Sequence, residues 1–387
     1  MSLPANENMA TSPDGKFVSV DTETSYPLSE LRWCGDDGGL LDVAFHAEFD
    51  KALIATRPGN LWRYREALPI ADGADIVSFD EGMTPLLTLD LYSRPVRMKL
   101  DYLFPSGSYK DRGSTVLISY LNTLGVSKVV QDSSGNAAAS IAQYCARARI
   151  ECEIFVPNNA SPAKIRQIEA CGAAITIVSG TREDTADAAL EAAEDSFYAS
   201  HVWHPVYFQG TKTFAYEICE QLGWQAPDTI VLPVSNGALM LGVYIGLLDL
   251  LKAGIIGKLP KLIAVQTESC APVFNAFHDG KVNVERVEPQ ATIAEGIAAN
   301  APRRGTQLLR CVRETGGTCI LVSEDEIKSA LMEMCRQGFF VEPTAAVAVA
   351  GAKKYIRDHA SESEEIVSTL TGSGLKAAEQ IARIVGP

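Results

Sequence analysis

A lysine in an unusual setting offers the clearest chemical possibility in this sequence. Residues 105–113 read PSGSYKDRG, so that Lys110 follows Ser and Tyr and precedes Asp, Arg and Gly at the expected start of a helix. A lysine is usually a solvated surface charge, but one that is desolvated near positive dipoles loses its proton more easily and can attack a carbonyl carbon. Lys110 is therefore a candidate for Schiff-base chemistry if an anion-binding site lies beside it.

Three loops elsewhere in the chain could build such a site. Each is short and polar, follows a β-branched run and opens an apolar segment of helical period: residues 132–136 (DSSGN), 233–238 (PVSNGA) and 371–374 (TGSG). A helix N-terminus offers unpaired backbone N–H groups and the positive end of the helix dipole, which attract anions. One such loop is an ordinary N-cap, whereas three together predict an anion-binding basin. The sequence has neither G-x-G-x-x-G nor a P-loop motif, the usual nucleotide fingerprints.

The elements that must position these loops alternate between strands and helices. The β-branched runs predict strands at residues 128–131, 153–156, 174–178, 229–232, 262–266 and 366–370. Apolar periodicity predicts helices at residues 137–149, 162–171, 183–199, 213–222, 239–253 and 324–337. This alternation is typical of an α/β protein whose parallel sheets are covered by helices and bind ligands at the carboxyl ends of the strands. Residues 1–75 carry Gly and Asp clusters and are expected to form an irregular N-terminal extension.

Composition and charge disfavour several classes of function. With 47% hydrophobic and 21% charged residues among 387, the sequence is that of an ordinary globular protein with more than one domain. Its 34 Lys and Arg residues against 48 Asp and Glu give a net charge of -14, which disfavours binding to nucleic acid and to anionic membranes. The most apolar run, residues 237–248, is too short to span a bilayer.

Cysteine and histidine positions do not suggest a metal site. The nine cysteines are scattered without a C-x-x-C pair, which favours reduced thiols over a disulfide framework or zinc. His201 and His204 stand three residues apart at an expected strand end with no third ligand nearby, so a structural role is predicted for both and no metal is expected. The opening MSLPANENMA lacks the features of a secretory signal, so a cytoplasmic location is expected.

Four segments, taken in order, are similar to those of a known enzyme family. S-x-K-D-R-G (108–113), SSGNAAAS (133–140), PVSNGAL (233–239) and TGSGLK (371–376) resemble threonine synthase and its relatives among the fold-type-II pyridoxal-phosphate enzymes. Further matches are FDEGMTP at 79–85, KTFAYE at 212–217, TIAEGI at 292–297 and EPTAA at 342–346. The resemblance implies an α/β fold of two domains, each with a mostly parallel sheet covered by helices, which hold pyridoxal 5′-phosphate in the cleft between them.

The resemblance also implies roles for individual residues. Lys110 would carry the cofactor as a Schiff base and later move protons at the substrate's α, β and γ carbons. Asn136 would bond the cofactor's phenolic oxygen, and Thr371 would contact its pyridine nitrogen through a neutral hydroxyl, which suits elimination and replacement better than transamination. The cofactor phosphate would be cradled by backbone N–H groups of Ser235, Asn236, Gly237, Ala238 and Leu239. The substrate would be received by the loop of Ser133, Ser134, Gly135, Asn136 and Ala137.

The same resemblance predicts the division of the chain. A small domain of residues 116–210 would be inserted into a large cofactor-binding domain made from residues 76–115 and 211–387, behind the extension of residues 1–75. Substrate binding would close the cleft between the two domains. A homodimer with a small amino-acid substrate is expected at the level of the family.

The expected activity is that of threonine synthase, in which O-phospho-L-homoserine and water give L-threonine and phosphate. The alternatives are a serine or threonine dehydratase, a β-replacement enzyme of the cysteate-synthase kind, and a non-catalytic protein on the same scaffold. Ala137 bears most on the choice, because threonine synthases commonly carry a hydroxyl there that helps to hold the substrate phosphate. The candidates to replace that hydroxyl are Lys164, Arg166, Asn158 and Asn159.

Overall fold

A computed structural model describes residues 15–158, 162–180 and 182–386 of the protein. They form two largely parallel β-sheets covered by helices and a small antiparallel sheet near the N-terminus. The strands are β1 (Lys16–Ser19), β2 (Ser25–Pro27), β3 (Leu41–Ala44), β4 (Leu86–Leu91), β5 (Arg94–Lys99), β6 (Lys128–Gln131), β7 (Glu151–Pro157), β8 (Ala174–Val178), β9 (Phe197–Tyr198), β10 (Thr229–Pro233), β11 (Lys261–Thr267), β12 (Thr318–Val322) and β13 (Ile366–Thr369). The α-helices are α1 (Lys51–Thr56), α2 (Lys110–Thr123), α3 (Asn136–Ala148), α4 (Pro162–Ala170), α5 (Arg182–Ala192), α6 (Pro205–Thr211), α7 (Thr213–Gln221), α8 (Ala238–Lys252), α9 (Pro272–His278), α10 (Gly305–Glu314), α11 (Glu324–Arg336), α12 (Pro343–Asp358) and α13 (Ala378–Val385). Short 3-10 helices occur at Leu61–Ala67, Asp101–Leu103, Glu295–Ile297 and Gly374–Ala377.

The larger sheet has six strands in the order β12-β11-β10-β13-β5-β4. Neighbouring strands run parallel except β4, which pairs antiparallel with β5 at one edge. Strands β10 and β13 pair through Thr229↔Ile366, so the loops that follow them leave the same end of the sheet. That end is where parallel α/β sheets bind their ligands.

The smaller sheet has four parallel strands in the order β8-β7-β6-β9. Strand β6 lies in its middle and leads through the polar residues 132–135 into helix α3. Helix α2, which begins at Lys110, packs against both α3 and α6. The lysine is thereby placed next to the loop that leaves the smaller sheet.

Burial explains why the central strands read as continuous apolar runs. The side chains of β10, β11 and β13 are nearly all buried, because helices cover the larger sheet on both faces. Among the helices of the described residues, none combines the length and the apolar character needed to cross a membrane.

The N-terminal region is more regular than the sequence predicts. Strand β1 pairs antiparallel with both β2 and β3, although residues 1–75 are expected to be irregular and residues 1–14 lie outside the described residues. Buried Arg304 joins this sheet to the rest of the protein, since its guanidinium donates to Oδ1 of Asp42 and to the carbonyl oxygen of Leu41. Strands of three or four residues are too short for periodicity to indicate them.

The predicted fold class, α/β with mostly parallel sheets covered by helices, is confirmed. The six predicted strands correspond to β6, β7, β8, β10, β11 and β13. The predicted helix at 183–199 is wrong in its second half, because α5 ends at Ala192 and β9 follows at Phe197–Tyr198. Two residues make a strand there only because Tyr198 pairs with Val130 of β6, a contact that local sequence cannot reveal. Strands β4, β5 and β12 are likewise not indicated by the sequence patterns.

Candidate active site

The loops singled out in the sequence meet in one cavity of about 730 Å³. It is lined by the loops that follow β6 in the smaller sheet and β10 and β13 in the larger sheet, together with the start of α2. All of the predicted site residues line it: Lys110, Ser133, Ser134, Gly135, Asn136, Ala137, Ser235, Asn236, Gly237, Ala238, Leu239 and Thr371. The structure therefore brings the predicted set together.

Three helix N-termini open onto this cavity. Helices α2, α3 and α8 begin there, with Tyr109, Gly135 and Gly237 as their N-caps. Within the described part of the chain, none of these three N-cap residues hydrogen-bonds its helix through a side chain. The first backbone N–H groups of α3 and α8 lack intrahelical acceptors, so they are available to anionic groups of a ligand. At the start of α2, by contrast, the N–H groups of Asp111 and Arg112 already donate to the carbonyl oxygens of Ser108 and Tyr109.

Lys110 is held at the cavity through its backbone. The hydroxyl of Tyr207 donates to the carbonyl oxygen of Lys110 at 2.9 Å, and the backbone N–H of Tyr109 donates to the carbonyl oxygen of Thr371 at 3.0 Å. The ring of Tyr207 packs so closely on α2 that a Cβ at Gly113 would overlap it. The glycine of the K-D-R-G segment is thus required by this close approach, and the lysine backbone is fixed from two sides.

Arg112, two residues after the lysine, anchors α2 in a buried ionic network. Its guanidinium donates to both carboxylate oxygens of Asp101 at 2.8 Å and to Glu217 at 2.7 and 2.9 Å. Lys99 completes the network with a 2.8 Å contact to Glu217, and none of these side chains has exposed surface. Although burial opposes it, the pKa of Glu217 is lowered to about 2 by Arg112 and Lys99. The S-x-K-D-R-G and KTFAYE segments therefore meet here, since they supply Arg112 and Glu217.

Asp111 fastens the loop before the lysine to the helix beside it. Its carboxylate accepts from the backbone N–H of Ser106 at 2.7 Å, from the hydroxyl of Ser106, and from the hydroxyl of Ser140 in α3 at 2.6 Å. Burial raises the pKa of Asp111 to about 6, against the lowering effect of these hydrogen bonds. Residues on both sides of Lys110 thus serve to position it.

The structure separates the four residues proposed to replace the missing hydroxyl at position 137. Lys164 lines the cavity, whereas Arg166 is 82% exposed and pairs with Glu169 of its own helix at 2.8 Å. Asn158 is exposed, and Asn159 lies outside the described residues. Lys164 is therefore the cation that α4 brings to the site, while Arg166 lies on a solvated helix face.

Several lining residues were not predicted as site residues. His201 lines the cavity and its Nδ1 lies 3.2 Å from Nε2 of Gln131, and the structural role expected for it stays a prediction. His204 does have a structural role, since it caps α6 by accepting from the N–H of Val206, and burial with nearby Arg304 lowers its pKa to about 3. The remaining ones include Thr185, Glu295, Glu342 and Thr344. Glu295, Glu342 and Thr344 lie in the TIAEGI and EPTAA segments of the family resemblance, whereas Thr185, within α5, carries no such signal.

Metal ligation receives no support from the described residues. No group of three or more His, Cys, Asp or Glu side chains among them is arranged to hold a metal ion.

Comparison with known proteins defines the class of this site. A model of the family described as pyridoxal-phosphate dependent enzyme matches residues 77–372. The chain therefore belongs to the family of pyridoxal-phosphate dependent enzymes. The cofactor class expected from the motifs is confirmed.

The similar proteins of known name include threonine synthases. That of Methanocaldococcus jannaschii is 33% identical over 373 residues, which cover 93% of this chain and 92% of the relative. That of Mycobacterium tuberculosis is 34% identical over 328 residues, which cover 82% of this chain and 89% of the relative. The resemblance to threonine synthase that the motifs indicated is confirmed over most of the chain.

Solved structures support the same fold. Maize serine racemase matches with a TM-score of 0.67 at 23% identity, covering 77% of this chain and 91% of that one. Threonine deaminase isoform 2 from Solanum lycopersicum matches with a TM-score of 0.67 at 22% identity, covering 79% and 88%. At this identity the likeness concerns the fold alone.

The cavity fits pyridoxal phosphate. Two buried polar atoms in it, Oγ1 of Thr371 and Oδ1 of Asn136, have no hydrogen-bond partner among the described residues. An unsatisfied buried polar atom costs about 1–3 kcal/mol, which a bound ligand would recover. A primary amine, uncapped helix N-termini and unsatisfied polar atoms together match an anionic ligand that carries an aldehyde.

Proposed function

We propose that this protein is a pyridoxal-phosphate-dependent lyase with threonine synthase activity, which converts O-phospho-L-homoserine and water to L-threonine and phosphate. The observation that carries the proposal is one cavity in which Lys110, the free N-termini of α3 and α8, and Lys164 meet. Such a cavity offers one amine and binding sites for several anionic groups, as this cofactor and this substrate together require. The full-length similarity to threonine synthases points to the same reaction.

Lys110 is the catalytic residue of the proposal. When bound, pyridoxal phosphate withdraws electrons and so stabilises negative charge on the carbons of an attached amino acid. The amine Nζ of Lys110 binds the cofactor and, once released, takes a proton from Cα and moves protons at Cβ and Cγ of the substrate. The bonds that fix its backbone, from Tyr207 and through Tyr109 to Thr371, keep this amine beside the reacting carbons.

The cofactor is held by groups from the larger sheet in this proposal. Thr371 offers its unpartnered hydroxyl to the pyridine nitrogen, and because a hydroxyl is neutral it does not hold that nitrogen protonated. Asn136, from the opposite side of the cavity, provides an amide N–H for the phenolic oxygen. Backbone N–H groups at the start of α8 bind the cofactor phosphate, through the residues Ser235, Asn236, Gly237, Ala238 and Leu239.

The substrate is held by groups from the smaller sheet. The N-terminus of α3, with Ser133, Ser134 and Gly135 before it, receives the substrate carboxylate. Lys164 binds the phosphate that leaves from Cγ, since it is the cation that α4 contributes to the cavity. The electron pair of the Cγ–O bond stays with the leaving phosphate, so its negative charge grows as the bond breaks and an ammonium beside it favours its departure.

The proposal extends to the domain division and the assembly of the protein. We propose residues 116–210 as the smaller, substrate-closing unit and residues 76–115 with 211–387 as the larger one; the boundary at residue 115 falls within α2 (Lys110–Thr123). We also propose a cytoplasmic homodimer that has no nucleic-acid partner, in keeping with the net charge of -14. Light scattering on the purified protein tests the dimer.

One observation favours a second candidate. Ala137 lines the cavity without a hydroxyl, and Glu295 and Glu342 add carboxylates to the lining that disfavour a second phosphate there. A serine or threonine dehydratase, whose substrates carry no phosphate, is therefore the alternative function.

Incubation with three substrates decides between the two functions. The cofactor-loaded protein is given phosphohomoserine, serine or threonine, and inorganic phosphate, threonine and 2-ketoacid are measured. Threonine synthase activity predicts equal amounts of threonine and phosphate from phosphohomoserine. Ketoacid from serine or threonine, with no phosphate from phosphohomoserine, would establish the dehydratase instead.

A further inference from the structure

A buried glutamate reaches across the cavity to the asparagine of the substrate-side loop. Glu342 is the N-cap of α12, next to the larger sheet, and is only 4% exposed. Its Oε1 accepts a hydrogen bond of 2.9 Å from Nδ2 of Asn136, which opens α3 beside the smaller sheet. Both residues line the cavity. The contact therefore joins the two sides of the cleft at a ligand-binding position.

The backbone around Glu342 fixes where its carboxylate lies. The N–H of Glu342 donates to the carbonyl oxygen of Gly372 at 3.0 Å, and Val341 forms a β-bridge with Ser373. Any Cβ at Gly372 would overlap the carboxylate of Glu342. The absence of a side chain at Gly372, the residue after Thr371, is thus what leaves room for the carboxylate.

A cation offsets the charge of this carboxylate. Buried Lys376, in the 3-10 helix that follows the Thr371 loop, donates to the carbonyl oxygen of Ser106 at 2.8 Å and lies within electrostatic range of Glu342 and Asp111. Burial lowers the pKa of Lys376 to about 8, and the two carboxylates oppose that shift. Lys376 therefore places a positive charge near the Glu342 carboxylate.

A carboxylate restricts the orientation of an amide that contacts it. An ionised carboxylate only accepts hydrogen bonds, whereas the Asn136 amide has two N–H donors on Nδ2 and an acceptor at Oδ1. Glu342 therefore selects the orientation in which Nδ2 faces it. The second N–H of Nδ2 then remains for a ligand oxygen, and Oδ1, which is buried without a partner among the described residues, remains for a ligand donor.

We infer that Glu342 is a positioning residue that fixes which way the Asn136 amide faces in the cofactor cleft. With the carboxylate present, an N–H of Asn136 is offered to the cofactor's phenolic oxygen. Without it, the amide can turn over and present Oδ1 to that oxygen, which repels it. The inference rests on the proposed cofactor site and is independent of which amino acid the enzyme converts.

Cofactor binding by the apoprotein tests this role directly. The dissociation constant for pyridoxal phosphate is measured by titration for the wild type, Glu342→Gln and Glu342→Ala, with folding checked by circular dichroism. Hydrogen bonds to charged groups are about twice as strong as neutral ones, so we expect the dissociation constant to rise about fivefold for Gln and about tenfold for Ala. The matched control is Glu364→Gln, which neutralises a carboxylate buried among Thr229 and Tyr355 away from the cavity and should leave the constant unchanged.

Two further readouts separate positioning from a merely structural role. In the Asn136→Ala background, Glu342→Gln should cause no further loss of cofactor affinity, because it acts through the amide. The pH profile of the bound cofactor's visible absorbance should also move to higher pH in Glu342→Gln, since an N–H donor favours the anionic phenolic oxygen. An equal loss in both backgrounds, or wild-type affinity and an unshifted profile in both Glu342 variants, would overturn the inference, whatever substrate the enzyme proves to use.

Discussion

The two sides of the cavity are built in different ways. Behind Lys110, the side chains of Arg112, Asp101 and Glu217 have no exposed surface and are joined by hydrogen bonds of 2.7 to 2.9 Å. On the substrate side, helix α4 presents Lys164 to the cavity, and the neighbouring Arg166 pairs with a residue of its own helix at 82% exposure.

This difference indicates which side of the cavity holds its side chains rigidly and which side tolerates substitution. The network behind Lys110 joins segments that are about a hundred positions apart in sequence, so it locks α2 and its lysine to the body of the protein. On α4, Arg166 is exposed and pairs within its own helix, so it can be exchanged at little cost to the fold. The helix itself is tied to the protein by buried Ile168 and by Gln167, which donates to the carbonyl oxygen of Ser106. Cofactor chemistry is therefore expected to be fixed, and substrate choice to be set by the smaller sheet.

Replacement of buried Arg112 should have the largest effect of the variants considered, and it should act on stability. Arg112→Met leaves Asp101 buried without its cation and Glu217 with Lys99 alone, and we expect a loss of about 3–5 kcal/mol in the free energy of unfolding. Urea denaturation of the apoprotein measures it. The matched control Arg166→Met removes an exposed pair and should change stability by about 0.5 kcal/mol at most. Similar losses in the two variants would contradict the contrast between the two sides.

The cation of the substrate side should affect binding more than stability. Lys164→Gln removes the charge proposed to hold the substrate phosphate, so we expect KM for phosphohomoserine to rise about tenfold or more while kcat changes little. Arg166→Gln, two residues away on the solvated face, should leave both constants unchanged. If the two variants behave alike, the phosphate is bound elsewhere.

A smaller effect, on turnover, is expected at Thr371, which is proposed to contact the pyridine nitrogen of the cofactor. Thr371→Val keeps the shape of the side chain but removes the hydroxyl that has no partner among the described residues. A neutral hydrogen bond contributes about 1 kcal/mol, so turnover should fall about fivefold. Cofactor affinity, measured by titration, should stay close to that of the wild type because the phosphate contacts remain. Unchanged turnover would show that Thr371 does not contact the pyridine nitrogen.

A pH dependence of stability is expected from Lys376, which lies behind the Thr371 loop. The pKa of Lys376 is lowered from 10.5 to about 8 by burial. Between these values the unfolded chain binds a proton that the folded chain has released, so the free energy of unfolding should rise with pH across this window. Lys376→Met should flatten that rise in urea denaturation at several pH values. Parallel curves for wild type and variant would mean that Lys376 titrates normally in the fold.

Local signals were enough to predict the centre of the site. Each predicted loop joins a β-branched run to a helix through small polar residues. Parallel strands bring their carboxyl ends together, so the meeting of residues 235–239 and 371 follows from pattern and topology within the larger sheet. That residues 132–137 of the smaller sheet join them follows from the family resemblance and not from local pattern. The lysine was identified by its neighbours in sequence. The same neighbours, Asp111 and Arg112, prove to be the residues that fix it.

Other parts of the site depend on contacts that no local pattern contains. Lys164 and Arg166 stand two residues apart, which places them on different faces of α4, and only the packing of that helix decides which one faces the cavity. The contact between Asn136 and Glu342 spans 206 positions. His201 follows a two-residue strand that exists only through its pairing with β6. These positions could not be predicted from the sequence because tertiary packing creates them.

The most direct test of the account is to find the lysine that carries the cofactor. The protein loaded with pyridoxal phosphate is reduced with borohydride, digested, and analysed by mass spectrometry for the pyridoxyl-modified peptide. The account predicts modification at Lys110, and its loss together with turnover in Lys110→Ala, whose circular dichroism should match that of the wild type. Stoichiometric modification at Lys164, Lys376 or another lysine, with Lys110 unmodified, would contradict the placement of the catalytic centre.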